Sequence, residues 1–405
     1  MTQGSLRAEF LQSSAPERHA AYAVLRDQAA VHLITLQSGK PGYLVTGFDA
    51  ARQALIDPRL EPRTATVGYR RDFSEDLHKG MNSHMLNANP EDHARLRRLV
   101  SVAFTRRRMT AMRPRIQAIT DGLLDNIADS DEADLIKDLA LPLPIRVLIE
   151  MFGIPESDAD DFHAWTEIIT ASGLPLHRLN AAASEMLDYV RGLLDRKRRA
   201  PQEDLLSTLA VREGPDGLTD FELTSMVFLL LTAGHETTVN LIGNGLLSLL
   251  SNPAQLADVR ADPELLAAVV EETLRYESPV QIAVRFSLDS LELGGMHIPA
   301  GATILVSLLA ANRDSTHFAE PDSFCPARAD NQHFGFGYGV HFCIGAPLAR
   351  LEGLVAIGSA LDRFPDLRLT TPAADLGWRP STVMHGLNAL PVRLRPALET
   401  TDATG

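Results

Sequence analysis

Cysteine is nearly absent. Cys325 and Cys343 are the two in 405 residues, and they do not form a C-x-x-C pair. A disulfide scaffold and a zinc site of the usual spacing are both poorly supported on that count. Long apolar runs are missing as well: none reaches the ~18 residues that read as a membrane-spanning helix. Residues 1–20 carry no apolar core of signal-peptide length, so the expectation is a cytoplasmic protein with no membrane partner. Positive charge is in deficit, with 38 Lys and Arg against 52 Asp and Glu, and the formal net charge of −14 argues against nucleic acid as a partner. No internal repeat and no low-complexity linker divides the chain. With 45% hydrophobic and 22% charged residues, it reads as one globular domain over residues 1–405 with a sizeable core.

What is present is concentrated in residues 333–352, HFGFGYGVHFCIGAPLARLE. Gly335, Gly337 and Gly339 alternate with Phe334, Phe336 and Tyr338. Glycines at this density let a backbone fold tightly and approach a flat object, because they lack a Cβ and tolerate positive φ. Residues 346–352 read as a helix N-terminus with Pro347 in the first turn, where its missing N–H costs nothing. A cysteine just before that turn faces unpaired N–H groups and the positive end of the helix dipole, which favour a thiolate. A thiolate, a glycine cradle and an aromatic wall suit the ligation of haem iron.

The run Phe336-Gly337-Tyr338-Gly339-Val340-His341-Phe342-Cys343-Ile344-Gly345 resembles the haem-binding signature of the cytochrome P450 family, matching it at Phe336, the two spaced glycines, His341, Cys343 and Gly345. The resemblance implies haem b (iron protoporphyrin IX) with Cys343 as axial ligand, dioxygen as co-substrate, and a mainly α fold with small β-sheets around a buried haem.

Residues 219–251 read as a single long helix, opened by a Thr219–Glu222 capping box and stopped by Asn252-Pro253. It is apolar on nearly every side before Ala233, as a helix through the middle of a large core should be. Ala233-Gly234-His235-Glu236-Thr237-Thr238 then interrupts that apolar surface, and the glycine alone costs about 1 kcal/mol of helix propensity. The stretch resembles the oxygen-activating segment of the family. The resemblance implies that Ala233 and Gly234 border the haem, that Gly234 leaves space for dioxygen, and that Glu236 and Thr237 are the acid–alcohol pair that relays protons.

Glu272 and Arg275 lie at i,i+3 on one face of a predicted helix over 263–277. They match the family's E-x-x-R, whose third partner is implied to be Arg328; Cys325 stands where an acid is common. His93 and Arg97 lie at i,i+4, and with Arg285 and His341 they map onto positions implied to reach the haem propionates. A locally basic stretch contains Arg97, Arg98, Arg106, Arg107, Arg108, Arg113 and Arg115. The resemblance places it on the cysteine side of the haem, where a basic surface would steer an acidic ferredoxin. No flavin or nicotinamide fingerprint follows a predicted strand, so electrons from NAD(P)H are expected through a separate ferredoxin and ferredoxin reductase.

Strands are expected at 30–36 and 43–46, in short pieces over 280–306, and in a last β-rich piece at 381–394. Helix is expected almost throughout 89–250, with breaks at 141–144, 153–157, 173–176 and 212–217. The resemblance implies a substrate pocket of Met81, Met85, Leu86, Ile168, Ile169, Leu174, Leu230, Val280, Ile282, Ala283, Val383 and Met384. The reading is a monomeric haem-thiolate monooxygenase that hydroxylates or epoxidises a hydrophobic small molecule, a macrolide or other polyketide. Terpenoid, steroid and fatty-acid hydroxylases are alternatives on the same scaffold. A haem protein without turnover and a peroxide-driven peroxygenase are readings of another kind.

Overall fold

The computed structural model describes residues 6–62, 74–170, 174–211 and 217–395. Gly173 and residues 212–216 of two expected breaks lie outside the described residues, as do 171–172 and the side chain of Arg106.

Helices make the body of the molecule around one 31-residue helix, Asp220–Leu250, which is about 46 Å long at 1.5 Å per residue. Its start is fixed reciprocally. Thr219 Oγ1 accepts the Glu222 N–H at 3.3 Å, and the Glu222 carboxylate accepts the Thr219 N–H at 2.8 Å. The same carboxylate is gripped by Arg95, which ties this end to the helix Pro90–Ser101. The helices Glu75–Asn82, Pro142–Phe152, Leu176–Arg199, Leu266–Tyr276 and Ala346–Arg363 pack around it. Enclosed in this way along most of its length, the central helix needs no solvent-facing polar stripe.

Among the described residues, three small sheets flank this body. The largest runs in the order Leu6–Arg7, Val31–Thr35, Pro41–Val45, Thr303–Ser307, Ile282–Ser287, Leu60–Pro62. Here the strands near the chain's start pair with strands more than two hundred residues later, Tyr43 opposite Ile304 and Leu44 opposite Leu305. Arg368–Leu369, Pro391–Arg393 and Glu132–Asp134 form a second sheet, and Leu291–Leu293 with Met296–Ile298 a hairpin. The expected strands near residues 30 and 43 are present.

Three expectations need correction. The run from 89 to 250, expected as helix almost throughout, holds a further break that was not expected, the strand Glu132–Asp134, which pairs with Pro391–Arg393 from the other end of the chain. The break expected at 141–144 is a helix start. A π-turn over Ile136–Ala140 precedes it, and Pro142 occupies the first helical turn, where it is tolerated. The segment 381–394 is mostly loop, with only Pro391–Arg393 in a strand and single bridges at Met384 and Leu387. Ahead of that strand, residues 381–390 reach the core through single backbone and side-chain bonds rather than through a ladder. The break after Phe152 is present, with Gly153 in the left-handed conformation at φ 62°.

Candidate active site

The cysteine loop is built by its backbone. Gly337 and Gly339 hold φ values of 73° and 72°, a region closed to most side chains. The Gly337 N–H donates to Phe334 O at 2.7 Å, and the Cys343 N–H donates to Phe336 O at 2.9 Å, which closes the loop on itself. A Cβ on Gly335 would lie 2.6 Å from Leu274 O, so glycine lets the loop press against the helix Leu266–Tyr276. Cys343 directly precedes the helix Ala346–Arg363, whose second residue is Pro347.

Behind the loop, Glu272 and Arg275 are fully buried and joined by two bonds of 2.8 Å. Arg275 also donates to the carbonyls of Asn312, Pro321 and Ser323. Glu272 additionally accepts from Arg328 Nε at 3.4 Å, Asn331 Nδ2 at 3.2 Å and the Cys325 N–H at 2.8 Å. The three residues expected to form a triad therefore meet, and Cys325 supplies a backbone donor to it. Burying two charges is tolerable only when hydrogen bonds satisfy the remaining donors and acceptors. A second pair, Glu271 with Arg350, braces the loop from the adjacent side, and the Arg350 guanidinium lies 4.6 Å above the Phe336 ring. Burial raises the Glu271 pKa, but hydrogen bonds from Arg350 and His333 outweigh it and bring it to about 2.

A cavity of about 500 Å³ lies between this loop and the central helix. Phe336, Gly337, His341, Cys343 and Gly345 line one wall; Ala233, Gly234, Thr237 and Thr238 line the other. Met85, Leu86, Leu230, Val280, Ile282, Ala283, Val383 and Met384 border it as expected from the pocket residues. Met81, Ile168, Ile169 and Leu174 do not. Met81 is only 2% exposed and packs in the helical core. Ile169 packs against that same core, while Ile168 and Leu174 are half-buried on either side of the undescribed residues 171–173. Leu229 and Leu241, which the sequence reading missed, also line it. Their signal was available, because 229, 233, 237 and 241 repeat at i,i+4 along one helix face.

His93, Arg97, Arg285 and His341 converge on the cavity from three elements. The His93 and His341 rings are 4.4 Å apart, and Arg97 donates to Phe342 O at 2.6 Å. Burial lowers the Arg285 pKa to about 10, and burial followed by the charges of His93, Arg285 and Arg97 lowers His341 to about 4. Arg285 Nε is buried with no hydrogen-bond partner. A desolvated guanidinium on the same cavity as Arg97, with the neutral rings of His93 and His341 able to donate beside them, calls for an anion. Two propionates fit this set, and Cys343 fits an iron ligand on the same cavity.

Cys343 itself departs from the expectation of a ready thiolate. The Cys343 side chain opens onto the cavity, but desolvation by the protein around it pushes its thiol up, against the lowering by the Gly345 N–H, Arg97, the Ala346 N–H and Arg350. The helix terminus and arginines do not overcome desolvation. A bound cation would, since metal coordination deprotonates a thiol outright.

Thr237 and Glu236 are not together on the cavity. Thr237 Oγ1 donates back to Ala233 O at 2.9 Å, the usual mid-helix arrangement of a hydroxyl. Glu236 is buried, does not line the cavity, and pairs with Arg379 at 3.1 Å. Nothing in the sequence near residue 379 signals that contact.

The cytochrome P450 family model matches residues 145–372. The cytochrome P450 monooxygenase PikC of Streptomyces venezuelae is 44% identical over 97% of this chain and 95% of that protein. The 6-deoxyerythronolide B hydroxylase of Saccharopolyspora erythraea is 42% identical over 92% and 95%. The crystal structure of the myxobacterial cytochrome P450 CYP267B1 with myristic acid superposes with a TM-score of 0.89 at 41% identity, covering 96% of this chain and 98% of that one. The chain belongs to the cytochrome P450 family and is a haem-thiolate monooxygenase that uses dioxygen.

Proposed function

We propose that this enzyme hydroxylates or epoxidises a neutral, largely apolar polyketide, with a macrolactone as the favoured class. The observation that carries the reading is the wall facing Cys343. Met85, Leu86, Leu230, Val280, Ile282, Ala283, Val383 and Met384 border the space, and among the described residues lining the cavity none is Asp, Glu or Lys. A ligand there is held by shape and burial, and methionines conform to irregular outlines. A substrate carboxylate would compete with the propionates for Arg97 and Arg285. The relative that hydroxylates 6-deoxyerythronolide B supports the macrolactone over other apolar ligands.

Haem, when bound, supplies the iron centre for dioxygen and one-electron chemistry that no side chain here provides. The chain supplies the rest. Cys343, fixed by the closed loop, would hold the iron through its sulfur. His93, Arg97, Arg285 and His341 hold the propionates. The apolar wall excludes water from the oxidised carbon, and Thr237 presents a hydroxyl that donates and accepts at the cavity surface. Glu236 is the acid that replenishes it.

Electrons are supplied from NAD(P)H by a separate ferredoxin and ferredoxin reductase. The exposed side chains of Arg98, Arg107, Arg108 and Arg113 support this reading, as a basic surface raises the encounter rate with an acidic partner. The enzyme is read as a cytoplasmic monomer whose catalytic unit is the one domain 1–405. The test is a ligand screen on the ferric enzyme by its low-to-high-spin optical shift. Macrolactones are expected to shift the spin state at lower concentration than short fatty acids. Tight binding of a short fatty acid with no response to macrolactones would sink the substrate class.

A further inference from the structure

The central helix carries a polar stripe outside the cavity. Glu236, Asn240 and Asn244 repeat at i,i+4 and therefore share one face. The loop around Trp378–Leu387 lies along it. Glu236 meets Arg379 at its start. A Cβ on Gly386 would lie 1.9 Å from Asn240 Oδ1, so the loop touches the helix there by backbone. Asn244 Nδ2 then donates to His385 O at 3.0 Å and to Glu277 O at 2.9 Å. The loop is shaped to sit here, for the Arg379 N–H donates to Gly386 O at 2.9 Å and Trp378 stacks on His385 at 4.3 Å. The Arg379 side chain is 31% exposed, whereas that of Glu236 is 6% exposed.

We propose that Arg379 is a positioning residue of the oxidation, a counter-ion that holds Glu236 turned away from the cavity and releases it when the carboxyl takes up a proton. The proposal rests on the reading of Glu236 and Thr237 as the proton relay. While Glu236 is charged, the pair with Arg379 keeps it on the seam and off the cavity wall. A proton from a solvent acid arrives beside the partly exposed Arg379 and forms one O–H bond on Glu236. The neutral carboxyl can still accept a hydrogen bond from Arg379 but loses the ion–ion attraction that held it there. It then turns toward Thr237 and gives the proton to Oγ1 of that hydroxyl as the hydroxyl passes its own proton to the oxygen that leaves as water, so one O–H bond breaks on Glu236 and one forms on the acceptor. The carboxylate left behind is drawn back to Arg379. Electrons enter only through the reductant of the reaction, so each cycle at Glu236 moves one proton and nothing else.

The variants are Arg379→Gln, Arg379→Lys and Glu236→Gln in the haem-loaded enzyme. The first readout is infrared absorption of the resting enzyme at neutral pH, without turnover. A buried carboxylate that loses its cation takes up a proton. Arg379→Gln should therefore gain a protonated-carboxyl stretch that is absent from wild type, from Arg379→Lys and from the double variant with Glu236→Gln. The second readout is substrate-free turnover with ferredoxin, its reductase and NADPH, scored as dioxygen leaving as water rather than hydrogen peroxide. Arg379→Gln should lower the water-forming flux by roughly tenfold, short of the roughly 10²–10⁴ that a positioned proton donor contributes. Arg379→Lys should restore most of it. The carbon-monoxide spectrum of the reduced enzyme should not change in any variant. Wild-type flux in Arg379→Gln, no rescue by lysine, no new carboxyl stretch, or a lost carbon-monoxide spectrum would each overturn the proposal. Glu236→Gln separates the two claims: if it leaves the flux unchanged, the relay reading itself fails. If it lowers the flux while Arg379→Gln does not, only the role of Arg379 fails.

Discussion

The two walls of the cavity are made differently. The cysteine wall is backbone and fixed charge: a loop closed by its own amides, Glu272 and Arg275 at 0% exposure, and Glu271 clamped by Arg350. The facing wall is aliphatic side chains, a hydroxyl bonded back to its own helix, and a loop held by single contacts. A wall with every charge satisfied has one low-energy arrangement, which suits a metal ligand that must not move. A wall of methionine, leucine and valine has several of similar energy, which suits a bulky ligand recognised by outline. One side fixes the chemistry and the other admits the substrate.

The largest effect should come from breaking the cysteine wall. Glu272→Ala leaves Arg275 buried without its partner, a change that costs about 3–5 kcal/mol. Urea unfolding is expected to show that loss, together with a failure to take up haem. A loss under about 1 kcal/mol would mean that the wall does not depend on its ion pair. On the facing wall, Thr237→Ala is expected to leave stability and carbon-monoxide binding intact while lowering product formed per reductant consumed, with the difference appearing as hydrogen peroxide. Full coupling in that variant would move the proton path away from residue 237.

Acid should separate the walls by a smaller margin. His385 supports the loop that carries Val383 and Met384. It is flanked by Arg18, Glu277, His19 and Trp378. Burial lowers its pKa to about 4, against the opposing pull of Glu277, and burial lowers His84 to about 4 as well. Both titrate near 6.5 in an unfolded chain. Between pH 6.5 and pH 4 the unfolded state then binds more protons, so stability is complete above that window and falls as the pH drops through it. Glu277 lies well below its ordinary value and Glu271 near 2, so both remain charged across the window. His385→Gln is expected to flatten the slope of stability against pH, read from urea midpoints at pH 7, 6 and 5. An unchanged slope would remove His385 from the account. The smallest effect belongs to Met384→Ala, expected to weaken macrolactone binding by roughly tenfold, about 1.4 kcal/mol, with stability nearly unchanged.

The same division explains what the sequence made legible. The cysteine loop reads from ten consecutive residues because its geometry is local, set by glycine conformation and by a helix that starts next to it. The central helix reads for the same reason, from Thr219 and Glu222 at one end and its apolar length in between. Contacts between distant segments leave no such trace. Glu132–Asp134 is a strand only because Pro391–Arg393 pairs with it, and in the run at 381–394 only Pro391–Arg393 joins a ladder while Met384 and Leu387 form isolated bridges. Arg379 reaches Glu236 across 143 positions, and His19 reaches Glu277 across 258. Met81 and Met85 look alike in the sequence and both pack in the helical core, yet Met81 ends inside the helix Glu75–Asn82 while Met85, in the separate turn Met85–Asn87, also borders the cavity.

The central claim is that Cys343, on the rigid wall, holds the iron. Its most direct test is the spectrum of the reduced enzyme with carbon monoxide for wild type, Cys343→His and Cys325→Ser. Thiolate ligation by Cys343 predicts a strongly red-shifted Soret band in wild type, the same band in Cys325→Ser, and its complete loss in Cys343→His. A band that survives in Cys343→His, or disappears in Cys325→Ser alone, would contradict the account.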